Sequence, residues 1–100
     1  MKYNIAYSPE ADKDWYELFE VIAYEYNAPS TAFKYVQELI ETIEQLQTIA
    51  ESFPIQTYRS FLKYGQFVRR INYKQMAIIY TVHGDMVYIH RIVPASMITG

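Results

Sequence analysis

No cysteine occurs anywhere in the sequence. That excludes a disulfide framework and any thiolate metal site and gives no reason to expect an oxidising compartment, so the cytoplasm is the expected location. Glycine and proline are scarce, at 3 and 4 residues of 100, while 51% of the chain is hydrophobic. A disordered tail is thereby disfavoured, and the length fits one packed domain over 1–100. No run of about 20 apolar residues is present, and Met1 to Tyr7 carries one lysine and then alternates, fitting neither a membrane span nor a signal peptide. His83 and His90 lack further partners at metal-ligand spacing, so neither metal nor cofactor is expected. A glycine-rich phosphate loop, a nucleophile elbow and a separated carboxylate pair in the basic half are missing too, which removes the support for most enzyme classes.

Acidic residues nearly vanish from the second half. Up to Glu51 there are three basic residues against ten acidic ones; beyond it Arg59, Lys63, Arg69, Arg70, Lys74 and Arg91 face Asp85 alone. Acids in the first half suit the solvent faces of helices. The six cations have almost no neighbouring acid in sequence, so they are candidates for a basic surface that meets nucleic acid or an acidic protein segment.

Tyr3, Ile5 and Tyr7 alternate with Lys2, Asn4 and Ala6, as a half-buried strand requires. Ser8-Pro9 then stops the strand and starts a helix, because serine can accept an orphan N–H at the cap and proline is tolerated at the first helical position. Ala11, Trp15, Leu18, Phe19, Ile22 and Tyr26 recur at spacings of three and four, predicting a core-facing stripe as far as Tyr26. Pro29 restarts a helix with a second stripe, Ala32, Val36, Leu39, Ile40, Ile43, Leu46 and Ala50. So short a connection predicts an antiparallel helical hairpin. Phe53-Pro54 ends it, and Ile55 to Gly65 has no clean period, reading as an irregular connection that includes a short edge strand. Gln66 to Asn72, Met76 to His83 and Met86 to Val93 then read as strands, with Gly84-Asp85 as a tight turn. Helices before strands predict an α+β fold, with an N-terminal strand and a helical hairpin on a mainly antiparallel sheet of three to four strands.

Arg69 and Arg70 are adjacent on a strand and therefore point to opposite faces; arginine suits bidentate contact with phosphate or carboxylate. Arg91 either completes the basic face or pairs with a helix acid. His90 beside it is a candidate for acid/base work or phosphate contact, and His83 flanks the turn. Phe67, Tyr73, Tyr80 and Tyr88 would stack bases if exposed, although eleven tyrosines in 100 residues also serve as core filler with wet hydroxyls.

The opening strand ending in Ser8-Pro9-Glu10-Ala11, the Pro29 helix start, the Leu46 to Pro54 helix exit, the Arg69-Arg70 strand and the runs Ile78-Ile79-Tyr80-Thr81-Val82 and Val87-Tyr88-Ile89-His90-Arg91-Ile92 together resemble the RelE/ParE toxin superfamily of type II toxin-antitoxin, or plasmid stabilization, systems. The resemblance covers nearly the whole chain. It implies a growth-inhibiting toxin that is neutralised by a cognate antitoxin and, when released, either cleaves ribosome-bound mRNA or poisons DNA gyrase. For the nuclease it implies Arg70 as a catalytic residue, with Arg69, Arg91 and His90 as further candidates. Arg59, Lys63, Arg69, Arg70, Lys74 and Arg91 are the candidate target-binding residues. Two departures weigh against the nuclease. Met76-Ala77 stands where many of those nucleases carry arginine, and Pro94-Ala95-Ser96-Met97 replaces their basic or His-Tyr residues. A ParE-like gyrase inhibitor is the first expectation, a RelE-like nuclease or a member that only binds its antitoxin the alternatives. The antitoxin is expected to lay an acidic and apolar segment over a basic sheet face.

Overall fold

A computed structural model describes residues 2–98. β1 (Asn4–Tyr7) leads into α1 (Pro9–Glu20), whose N-terminus is capped as its sequence requires: the Ser8 hydroxyl accepts from the Ala11 N–H at 2.9 Å, with Pro9 in the first turn. The predicted stripe fails at its end. Val21–Glu25 forms a π-helical turn in which the Tyr26 N–H reaches back five residues to the Val21 carbonyl. One extra residue per turn rotates the helix face, so Ala23 is buried and Tyr26 is 75% exposed.

α2 (Pro29–Glu44) lies against α1 and buries Ala32, Val36, Leu39 and Ile43. After a break at Gln45 the chain continues as the single turn α3 (Leu46–Ile49) and a 3-10 turn (Ala50–Ser52). The connection beyond it holds one isolated bridge, Ile55 to Arg69, and a 3-10 helix (Arg59–Tyr64), where the sequence predicted a short edge strand. β2 (Arg69–Tyr73), β3 (Met76–His83) and β4 (Met86–Pro94) follow. β2 begins three residues later than predicted, because Phe67 adopts φ +57°, a left-handed conformation that a strand cannot accommodate.

The sheet order is β1-β4-β3-β2, antiparallel except that β1 runs parallel to β4. Its helix-facing side supplies Ile71, Ile78, Tyr80, Val87, Ile89 and Ile92 to the main core, with Leu39, Ile43 and Leu46. Buried Tyr80 donates its hydroxyl to the Ala50 carbonyl at 2.5 Å; burial pushes that phenol up to about 12, so it remains a donor. The opposite side, hereafter the open face, is covered only in part: Phe61 and Tyr64 of the 3-10 helix and Ile98 pack on Val68, Ile79 and Val93.

The β3–β4 register contains a bulge. Tyr80 pairs with Ile89 and Ile79 with Arg91, leaving His90 as the extra residue. Alternation therefore breaks in β4, and both His90 and Arg91 face the open side while Ile89 and Ile92 both face the core.

Gly84 sits at φ +61° in the β3–β4 turn, with no atom within 4 Å of where a Cβ would be. Gly84→Ala is therefore expected to meet backbone strain alone and to cost about 1 kcal/mol of stability, seen as a lower urea midpoint that Gly84→Asn partly restores. An unchanged midpoint would contradict the turn geometry.

Candidate functional site

The six late cations do not gather on one surface. Arg69 points to the helix side, where its Nη1 donates to the Glu51 carbonyl at 3.1 Å and the Phe53 carbonyl at 2.5 Å. It thereby satisfies carbonyls left over where the helical segment ends. Lys74 also lies on that side, 4.0 Å from the Glu38 carboxylate and over the rings of Tyr35 and Tyr73. Tyr73 in turn donates to Glu38, and that bond holds the carboxyl below its ordinary range.

Arg91 is half-exposed on the open face but is held from α1. Its Nε and Nη2 donate to the two Asp14 oxygens at 2.7 and 3.0 Å, and Asp14 Oδ2 also accepts the Ile92 N–H at 2.9 Å. Of the two readings the sequence left open for Arg91, pairing with a helix acid is the one realised. Arg59 and Lys63 are exposed on the 3-10 helix, and Arg70 is half-buried opposite Ile79 on the open face. The three ion pairs among the described residues use none of these last three. Strand register makes Arg70, Ile79 and Arg91 a row across the open face, with the two arginine backbones roughly 10 Å apart. The expected single basic face, shielded behind by helices, is thus divided between two sides of the sheet.

Two adjoining clefts on the open face share Lys63, Tyr64 and Arg91. One, of about 200 Å³, is floored by Phe61, Ile79, Val93 and Ile98; the other, of about 320 Å³, is walled by Ser8, Glu10, Tyr88 and His90. His90 stands edge-on to Tyr88, with ring centroids 4.8 Å apart, and tilted against Tyr64 at 5.4 Å. Buried Thr81 joins it to the second histidine: Thr81 Oγ1 lies 2.8 Å from His90 Nε2 and 2.7 Å from His83 Nε2. One hydroxyl carries one proton, so it can donate to one imidazole while accepting from the other, which makes the trio a proton path from the cleft to the exposed end of β3. Sequence reading placed His83 at the turn but missed this link. The signal was there in the i, i+2 pairs Thr81/His83 and Tyr88/His90, brought together by the hairpin register.

Among the aromatics proposed for stacking, Tyr88 and Phe67 are accessible, whereas Tyr80 is buried and Tyr73 faces the helices. Away from the sheet, a groove of about 540 Å³ between α1 and α2 is lined by Trp15, Tyr16, Phe19, Phe33 and Ile40, with Glu41 and Glu44. Phe33, which lies outside the second stripe, is 67% exposed there, so the hairpin leaves apolar surface facing outward. No helix among the described residues is long and apolar enough to cross a membrane, and no group of three or more potential metal-ligating side chains occurs among them.

Burial lowers the His90 pKa, the charge of His83 lowers it further, and Glu10 opposes both. The unfolded chain, titrating near the ordinary 6.5, then binds a proton that the folded chain refuses. The associated stability is complete above pH 6.5 and is lost as pH falls toward the lowered folded value. Urea midpoints measured at pH 7.5 and 5.5 should therefore converge in His90→Gln relative to the parent; an equal acid-induced loss in both proteins would contradict the assignment.

Comparison with known proteins agrees with this architecture. The family model described as the ParE toxin of the type II toxin-antitoxin system parDE matches residues 5–99. Among solved structures, the chromosomal ParDE toxin-antitoxin system from P. aeruginosa aligns with a TM-score of 0.76 at 19% identity, over 93% of this chain and 96% of that one. The E. coli DinJ-YafQ toxin-antitoxin complex aligns with a TM-score of 0.55 at 13% identity, over 100% of both chains. No protein in the curated set matches by sequence. With nearly its whole length covered by that family model, this chain belongs to the ParE toxin family of type II toxin-antitoxin systems.

Proposed function

We propose that this chain arrests growth by binding DNA gyrase in the cytoplasm and blocking its supercoiling activity, without chemistry of its own, and that a cognate antitoxin holds it inactive. The observation that carries the reading is how the cations are used. Arg69 is bound to carbonyls at the helix exit, Lys74 to Glu38 and Arg91 to Asp14. A phosphoryl-transfer site concentrates unpaired charge where the transition state develops it, and here half of the available charge is spent on holding the fold. The outward apolar groove between α1 and α2 suits a protein partner better than a polyanion.

One observation favours a second reading, ribosome-dependent mRNA cleavage. The His90–Thr81–His83 path opens beside Lys63 and Arg91, and a neutral imidazole there is poised to act as a base.

Purified chain added in stoichiometric excess is expected to block gyrase supercoiling in vitro while leaving mRNA intact in a translation reaction. Unimpaired supercoiling would refute the first reading. If mRNA is cut instead, Arg70→Ala and His90→Ala should each lower cleavage by about 100-fold or more, His90→Ala doing so while antitoxin binding persists.

A further inference from the structure

We propose that the outer edge of β2 receives an extended segment of the antitoxin as a fifth strand, with an acidic side chain against Arg70 and an apolar one beside Ile71. The proposal rests on the toxin-antitoxin reading and adds to it the surface and the chemistry of the contact. β2 is the last strand of the sheet, so one side of its backbone has no strand neighbour. The chain before it covers that side only at its beginning: Ile55 bridges Arg69, and the Gln56 N–H donates to the Val68 carbonyl at 2.7 Å.

That bond fixes which residues look outward. In an antiparallel ladder, backbone groups alternate between the two neighbours. Since Val68 turns its carbonyl out to Gln56, Arg70 and Asn72 turn their N–H and C=O groups out as well. The Ile55–Arg69 bridge sets the Arg70 N–H against the Pro54 carbonyl, so the row left beyond it is the Arg70 carbonyl and both backbone groups of Asn72. One donor and two acceptors at strand spacing are enough to hold about two residues of an added strand.

The side chains state what that strand carries. Arg70 and Asn72 project to the open face and Ile71 to the helix side, so residues set opposite them alternate in the same way. The stretch Arg69–Lys74 holds three cations and no acid, and Arg70 has no ion-pair partner among the described residues. A second copy of this chain would set one positive edge against another, which disfavours self-pairing and blunts the edge against aggregation. An acid–apolar–polar sequence in the partner meets each position in turn.

The test uses the protein encoded by the adjacent small reading frame, co-expressed and co-purified with the full chain. Hydrogen exchange followed by NMR should show the Asn72 amide exchanging freely in the isolated chain and about 100-fold more slowly in the complex. Asn72→Pro removes one outward donor that the fold does not use, and it should weaken the complex by about tenfold or more; Arg70→Glu should weaken it with a loss of salt dependence. A complex in which the Asn72 amide still exchanges freely overturns the edge contact alone. Failure to obtain any complex overturns the antitoxin reading with it. Protection of the Asn72 amide in the isolated chain at doubled molecular mass would assign the edge to a second copy and equally overturn the proposal.

Discussion

The fold turns on a place where a strand is missing. β1 stops at Tyr7, but β4 continues to Pro94, so beyond Ile89 the backbone of β4 loses its neighbour on that side. The cap residue and the first turns of α1 take over. The Ser8 N–H donates to the Ile89 carbonyl, its hydroxyl donates to the His90 carbonyl, and Asp14 accepts the Ile92 N–H. Unpaired backbone groups at a partly buried edge are costly, so this closure also settles where α1 lies on the sheet. The same Ser8 oxygen caps α1, which makes the strand end, the helix start and the sheet edge one structure.

From this follows the use of charge. Asp14 faces the bulge that turns both His90 and Arg91 to the open side, and it binds Arg91 with two parallel hydrogen bonds. Arg69 and Lys74 are drawn in the same way to the helix exit and to Glu38. The acidic first half and the basic second half therefore cancel in part within the molecule. What stays available on the open face and its 3-10 helix is smaller: Arg59, Lys63 and Arg70, with the His90 cleft among them.

Much of this was readable from residue patterns. Ser8-Pro9, Pro29 and Gly84-Asp85 mark boundaries by chemistry that acts within a few residues, and the runs Met76 to His83 and Met86 to Val93, rich in Val, Ile and Tyr on either side of that tight turn, read as strands that pair. The misses have a common physical origin. A π-helical turn and a β-bulge each insert one residue into a repeat: beyond the first the predicted stripe points the wrong way, as at Tyr26, and the second sets His90 and Arg91 on one face, which strand alternation does not show. Phe67 holds a left-handed conformation that its own residue type disfavours, so nothing local announced the late start of β2. Which acid meets which cation is a matter of tertiary placement, and a gap of 77 residues between Asp14 and Arg91 leaves no local sign of the contact.

If Arg91 serves the fold and Asp14 is what it serves, the two residues must be energetically coupled. A double-mutant cycle of Asp14→Ala and Arg91→Ala, read by urea unfolding, tests this most directly. The expected result is a coupling energy of about 0.5 to 3 kcal/mol, with Asp14→Ala costing more than Arg91→Ala because it also strips the Ile92 N–H of its acceptor. Additive losses would contradict it, and would return Arg91 to the set of cations free for a partner.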